Sequence, residues 1–336
     1  STVRLVPQLS VVIPTLGRPA TLARALDRLA GHRPADVEVI VAADALEPDP
    51  EGVERLVGDG GPRRRVVRAP RPGAAAARNA GWRAAQAPLV LFLDDDVLAA
   101  DGLLERHLAC HAEHPEEEVA CLGHVRWAAE LRVTPFMRWL DCGVQFHFAS
   151  IAGEWAGWGH FYTANVSVKR GLLERAGGFD EDAFPFHYED LDLGRRLAGL
   201  GLRLRYDRAA VGEHLHAQTL EGYAGRVAAI APAERRFVAR YPDVSPYFHD
   251  LFAEAAAIPA GRGWGARLAP WVPPWVPFAG PAVRRRAELS YRQALAPAFL
   301  AAWAREDVDQ EPPSDQEPPS PERAASSAGS EPGGPK

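Results

Sequence analysis

The sequence predicts an α/β protein. A mostly parallel sheet should be flanked by helices, followed by a C-terminal helical extension and a disordered tail. Three observations carry this expectation. Over the first hundred residues, short apolar runs alternate with amphipathic segments, the pattern of a parallel sheet wrapped in helices. From Leu220 to Phe252 the apolar spacing is helical. After Val308 there are seven prolines and almost no apolar side chains, so nothing remains from which to build a core.

Taken in order, Leu9 to Ile13 is a strand that Pro14 should stop, and Leu22, Leu26 and Leu29 then recur at helical spacing. Val37 to Val41 is a second strand, Val66-Val67 a weaker third, and Ala74 to Gln86 an alanine-rich helix. Leu89 to Leu93 is a fully apolar strand. The middle, 120–215, reads as aromatic-rich loops with helices at Lys169–Ala176 and Leu191–Leu200 and a short strand at Leu202–Tyr206.

Composition narrows the function. The net charge of −6 resides in the tail, where eight acids stand against two bases from Glu306 onward, leaving 36 of each before it. A neutral body with no basic face argues against nucleic acid as a partner. Cys110, Cys121 and Cys142, odd in number and widely spaced, suit neither a disulfide framework nor a zinc knuckle. The first residues lack the layout of a secretory signal, and no apolar run approaches the ~20 residues of a membrane span. A cytoplasmic protein is expected.

The chemistry centres on "VLFLDDD", where three carboxylates follow a buried run. Crowded like charges raise one another's pKa unless something positive sits among them. A phosphatase of the haloacid-dehalogenase type would need Thr or Val where Leu98 stands. An EF-hand would need acids at alternate positions and a glycine at the sixth, which Ala99 occupies. What remains is Asp94-x-Asp96 as a site for Mg²⁺ or Mn²⁺, which use one or two carboxylates together with phosphate oxygens.

Six further segments, in order, carry a family likeness: "SVVIPTLGRPATL" (10–22), "VEVIVAAD" (37–44), "RPGAAAARNAGWRAA" (71–85), "TANVSVKRGLLERAGGFDED" (163–182), "YEDLDLGRRLAGLGLRLRY" (188–206) and "AVGEHLH" (210–216). With the acidic triplet, the chain resembles an inverting family 2 glycosyltransferase of the GT-A fold. The resemblance implies a GT-A domain over 1–220, with a nucleotide-binding half at 1–100 and an acceptor-side half at 101–220. An extension at 221–305 and the tail at 306–336 would follow.

The resemblance also implies a nucleotide-diphospho-sugar donor (UDP, GDP or dTDP), a hydroxyl acceptor and a divalent cation. Pro14, Thr15, Arg18 and Asp44 would hold base and ribose, Asp94 and Asp95 would lie at the diphosphate, and Arg78 would sit near the base or the phosphates. Asp96, with Asp94 and His214, would bind the metal. Leu16-Gly17 and Ala43-Asp44 depart from the family's Tyr-Asn and paired acids, leaving the base unspecified. Asp190 is expected to be the general base with Glu189 in reserve, while Asp192 should serve the helix dipole. Trp155, Trp158, His160 and His216 are acceptor-side expectations, since indole faces pack on sugar rings.

Two other functions compete. One is a sugar-phosphate nucleotidyltransferase, which the single glycine of "PTLGRPATL" disfavours; the other is an inactive carbohydrate-binding scaffold. The Trp- and Pro-rich segment 264–286 suits an acceptor lid, a homodimer contact or a peripheral membrane contact, the last favoured by Arg284, Arg285 and Arg286.

Overall fold

The computed structural model describes residues 6–31, 36–58, 63–259 and 280–305. Most of the 264–286 segment and all of the tail lie outside the described residues. A nine-stranded sheet runs in the order β3 (Arg64–Arg68), β2 (Val37–Ala43), β1 (Leu9–Thr15), β4 (Leu89–Leu93), β8 (Asn165–Lys169), β6 (Val119–Trp127), β9 (Arg203–His214) and β5 (Val97–Ala99). The short β7 (Trp155–Ala156) pairs with β9. The pairings make β1–β4, β6 and β9 point one way and β5, β7 and β8 the other, so the sheet is mostly parallel.

The first half is the expected alternation. α1 (Pro19–Gly31) buries Leu22, Ala25, Leu26 and Leu29, the stripe its spacing requires. α2 (Pro50–Gly58) and α3 (Ala74–Ala84) complete the set. All seven residues of β2 are buried, as befits a strand covered on both faces. Pro14 does not end β1, which continues to Thr15 opposite Ala43. Pairing with β4 covers only Leu9 to Val12, so beyond that point one side of β1 is open and a residue without an N–H is accommodated.

The middle is more regular than its aromatic content suggests. β6 is nine residues long, and β9 extends from Arg203 through His214 rather than stopping at Tyr206. α4 (Leu103–Glu113) and β8 were hidden by buried polar residues: His107 is fully buried between the Ser167 hydroxyl (2.8 Å) and the side-chain Oδ1 of Asn165 (2.9 Å). α6 (Arg170–Ala176) ends on Gly177 in the left-handed region, and α7 (Glu189–Gly199) follows.

A second apolar cluster lies beside the sheet's own core. α5 (Pro135–Leu140) starts at Thr134, whose hydroxyl accepts from Met137 N. It packs Phe136, Trp139 and Leu140 against α8 (Leu220–Arg240), α9 (Tyr247–Ala257) and α10 (Gly280–Trp303). Among the described residues no helix is long and apolar enough to cross a membrane.

Candidate active site

Strand ends set the geometry. β1 delivers Pro14 and Thr15, β2 is followed at once by Asp44, and β4 by Asp94, Asp95 and Asp96. These lie at the carboxyl edge of the parallel strands, where open α/β sheets bind ligands. The antiparallel pairing of β5 with β9 sets Val97 opposite His214, and Leu215 N donates to the Asp96 carbonyl at 2.8 Å. That register carries His214 and His216 back onto the acidic triplet.

Each aspartate has its own partners. Asp94 accepts from Arg78 at 2.9 Å, and Arg78 reaches across to Glu189 Oε1 at 2.7 Å. Asp95 accepts from the Thr15 hydroxyl at 2.7 Å and pairs with Arg18 at 2.7 Å. Asp96 takes the other arm of Arg18 at 2.7 Å, with His214 Nε2 at 3.5 Å and His216 Nδ1 at 3.9 Å from the same carboxylate oxygen. The positive groups that the triplet demanded are therefore two arginines from distant parts of the chain.

Electrostatics separate the three acids. Burial, only partly offset by Arg18 and reinforced by Asp96, pushes Asp95 up to about 7. Burial also opposes the Asp96 charge, but His214, Arg18 and His216 outweigh it and hold that carboxyl well below its usual range. Burial works against the charge on Arg18 and Arg78 too, and the facing carboxylates overcome it, raising both.

The opposite wall is the start of α7. His187 and Tyr188 both occupy the left-handed region, φ 59° and 64°, a strained corner for non-glycine residues. The Tyr188 hydroxyl donates to Glu234 Oε1 at 2.7 Å, and the two oxygens of this fully buried acid also accept from Phe248 N at 2.7 Å and His249 N at 2.9 Å. The C-terminal helices are thereby tied to the turn that presents Glu189 and Asp190. Burial, then the Glu189 charge, pushes Asp190 up to about 7 against the pull of Arg78, and Leu191 N donates to its Oδ1 at 2.8 Å.

Pro14, Thr15, Arg18, Asp44, Arg78, the three aspartates, Glu189, Asp190, His214 and His216 all line one cleft of about 890 Å³. Within it Asp44 accepts from Leu46 N (2.9 Å) and Gly73 N (2.7 Å). Gly73 is required there: at φ 124° a Cβ would meet the Pro185 carbonyl oxygen at 2.7 Å. Asp192, in the first turn of α7 where the dipole favours an acid, faces elsewhere, fully buried between Arg196 (2.8 Å) and the Tyr241 hydroxyl (2.8 Å), so side-chain partners also brace the helix there.

Trp155, Trp158 and His160 do not join this lining. Trp155 sits on the β7 edge under Arg203, whose guanidinium is 4.3 Å from the ring centroid. Trp158 lies between Arg195 and Phe237, and His160 Nε2 contacts the Ser150 hydroxyl at 2.8 Å. β7's pairing to β9 holds Trp155 at the sheet edge. The rest of the cleft wall includes Gln145, Phe146, Tyr162, His187, Tyr188 and Arg226. Adjacency to Glu189 pointed to Tyr188, and Arg226 is the one base in the run Leu220–Ala233, but neither signal was strong.

Among the described residues no group of three or more His, Cys, Asp or Glu side chains is arranged as a metal site. The donor chemistry nonetheless suits Mg²⁺ or Mn²⁺. Carboxylate and imidazole groups converge at Asp96, His214 leaves Nδ1 buried without a hydrogen-bond partner, and such ions complete their coordination with substrate phosphates. Six cleft carboxylates against three arginines also leave an excess of negative charge.

Residues 10–158 match the family model described as glycosyl transferase family 2. Two validoxylamine A glucosyltransferases, from Streptomyces hygroscopicus subsp. limoneus and subsp. jinggangensis (strain 5008), are each 33% identical over 278 residues, covering 72% of this chain. The chain spans 58% and 63% of their respective lengths. A structure of the mannosyltransferase PcManGT from Pyrobaculum calidifontis, in complex with GDP-Man and Mn²⁺, superposes with a TM-score of 0.60 at 23% identity. It covers 90% of this chain and 89% of its own. That likeness shows the architecture: an α/β GT-A fold. By its sequence matches and its fold, the chain carries a glycosyl transferase family 2 region over residues 10–158.

Proposed function

We propose that this protein is an inverting glycosyltransferase that moves a sugar from a nucleoside diphosphate to a hydroxyl acceptor. The observation that carries the proposal is Asp190, a carboxyl pushed up to about 7 across the cleft's Arg78 bridge from the acidic triplet. A base matched to neutral pH is what deprotonation of an alcohol requires. The acceptor oxygen attacks the anomeric carbon as its proton passes to Asp190. The bond to the diphosphate breaks on the opposite face, and its electron pair leaves with the nucleotide.

Thr15, Arg18 and Arg78 orient the donor and hold the triplet in place. Arg78 additionally fixes Glu189, which leaves its neighbour Asp190 as the acid available for proton transfer. A divalent cation, Mn²⁺ or Mg²⁺, would be held by Asp96 with His214 and Asp94, and when bound supplies Lewis-acid stabilisation of the departing diphosphate. The donor is the nucleotide-sugar class, with UDP, GDP or dTDP as carrier. The glucosyltransferase relatives and the GDP-Man complex of the structural neighbour support that class.

The test is a screen of UDP-, GDP- and dTDP-sugars for thermal stabilisation with and without Mn²⁺. Turnover with the selected donor follows, with NMR assignment of the product anomer. Inverted product is expected; retained configuration, or nucleotides that bind without any turnover across an acceptor panel, refutes the proposal.

A further inference from the structure

The two ends of the cleft differ in how their arginines are satisfied. At the triplet, Arg18 and Arg78 are engaged by carboxylates at 2.7–2.9 Å. At the far end, α8 presents Arg226, half-buried and lining the cleft, with no hydrogen bond or carboxylate partner among the described residues. The buried acids of the elements around it are committed elsewhere. Glu234 is taken by Tyr188 and two backbone N–H groups, Glu189 by Arg78, and Asp192 by Arg196 and Tyr241.

Its surroundings make that lack of a partner costly. Tyr223, Ile230 and Phe248 line the same end, so the guanidinium stands partly out of water without a counter-charge. Beside it His187 leaves Nε2 buried with no hydrogen-bond partner. Burial, then the Arg226 charge, lowers that imidazole to about 3, so at neutral pH it is uncharged and still carries one N–H. The polar wiring of this corner is unfinished in the protein alone, and an anion would complete it.

We propose that Arg226, with His187 beside it, forms an anion-binding subsite at the acceptor end of the cleft, and that the acceptor is a hydroxyl compound bearing a phosphate or carboxylate group. The proposal rests on the glycosyl-transfer reading for the word acceptor, but the anion subsite itself does not. A planar guanidinium grips either group with two parallel hydrogen bonds, which fixes the acceptor's orientation as well as its affinity. Apolar walls around the pair would then discriminate against small hydrated ions.

The test uses the full chain saturated with the nucleoside diphosphate that the thermal screen selects, which fills the triplet end. Phenyl phosphate, benzoate and neutral phenol are then titrated by calorimetry into wild type, Arg226→Gln and Arg226→Lys. Wild type should bind phenyl phosphate or benzoate and not phenol, and the stronger of the two tells phosphate from carboxylate. Arg226→Gln should weaken that binding by about tenfold or more, with Arg226→Lys between. Equal binding by wild type and Arg226→Gln, or no binding of either anion by wild type, overturns the proposal. So does a parallel loss of nucleoside diphosphate affinity in Arg226→Gln, which would assign the arginine to the donor. If no nucleoside diphosphate binds at all, the glycosyl-transfer reading fails. The anion titration, run without nucleotide, then decides the subsite alone.

Discussion

Replacing Asp190 with asparagine separates a catalytic acid from a structural one, because the two roles predict opposite signs. The side chain keeps its size, and Leu191 N can still donate to the amide oxygen as it does to Oδ1 at 2.8 Å. What disappears is a carboxylate that burial and Glu189 hold at about 7, where an unperturbed one ionises at 3.8. Above pH 7 the folded protein carries that charge at a cost; at about 1.4 kcal/mol for each pH unit the ceiling is on the order of 4 kcal/mol. Water in the open cleft reduces this to about 2–4 kcal/mol.

The sign follows from linkage. The folded-state pKa lies above the unfolded one, so wild type has its full stability below pH 4 and loses it as the pH rises towards 7. Asp190→Asn does not. Urea denaturation should therefore show the variant more stable than wild type at pH 8, with the gap closing as the pH approaches 4. Turnover should fall by roughly 10²-fold or more, and the acidic limb of the wild-type rate profile near pH 7 should vanish. A variant that is less stable at pH 8 and still turns over would make Asp190 a structural ion partner and refute the reasoning.

The remaining expectations use other parts of the cleft. Arg78→Met strands the buried Glu189 and takes the partner from the part-exposed Asp94, and should cost about 3–5 kcal/mol in urea denaturation; a loss under about 1 kcal/mol would show the bridge to be solvated. Asp96→Asn should abolish the Mn²⁺-dependent part of nucleoside diphosphate binding in calorimetry, while unchanged binding would remove Asp96 from the metal proposal. Gly178→Ala should lower stability by about 1–3 kcal/mol. Its φ is +76°, and the new Cβ would stand 2.5 Å from Asn79 Oδ1 and 2.8 Å from Trp82; a melting temperature equal to wild type would mean that corner yields freely.

The sequence by itself determined whatever rests on local pattern. The apolar runs at Leu9, Val37 and Leu89 had to be buried on both faces, which demands helices above and below a parallel sheet. The acids after Leu93 and before Leu191 then had to fall at a strand end and a helix start. These statements need no contact beyond a few residues. The regular elements it concealed, α4, β6 and the long β9, carry buried polar residues such as His107 and Glu213, whose partners come from elsewhere in the chain.

Tertiary structure decided which groups answer those acids. Arg18 lies 78 positions from Asp96, and Arg78 lies 111 from Glu189, so no periodicity could pair them. It also decided which aromatic and basic groups line the rest of the cleft. Trp155 had the right chemistry for sugar but is held at the sheet edge by β7's pairing, and Trp158 packs between Arg195 and Phe237, while Tyr188 and Arg226 reach the cleft because Glu234 draws α8 onto α7. A side chain's identity states what it could bind. Only the packing of distant elements states what stands in front of it.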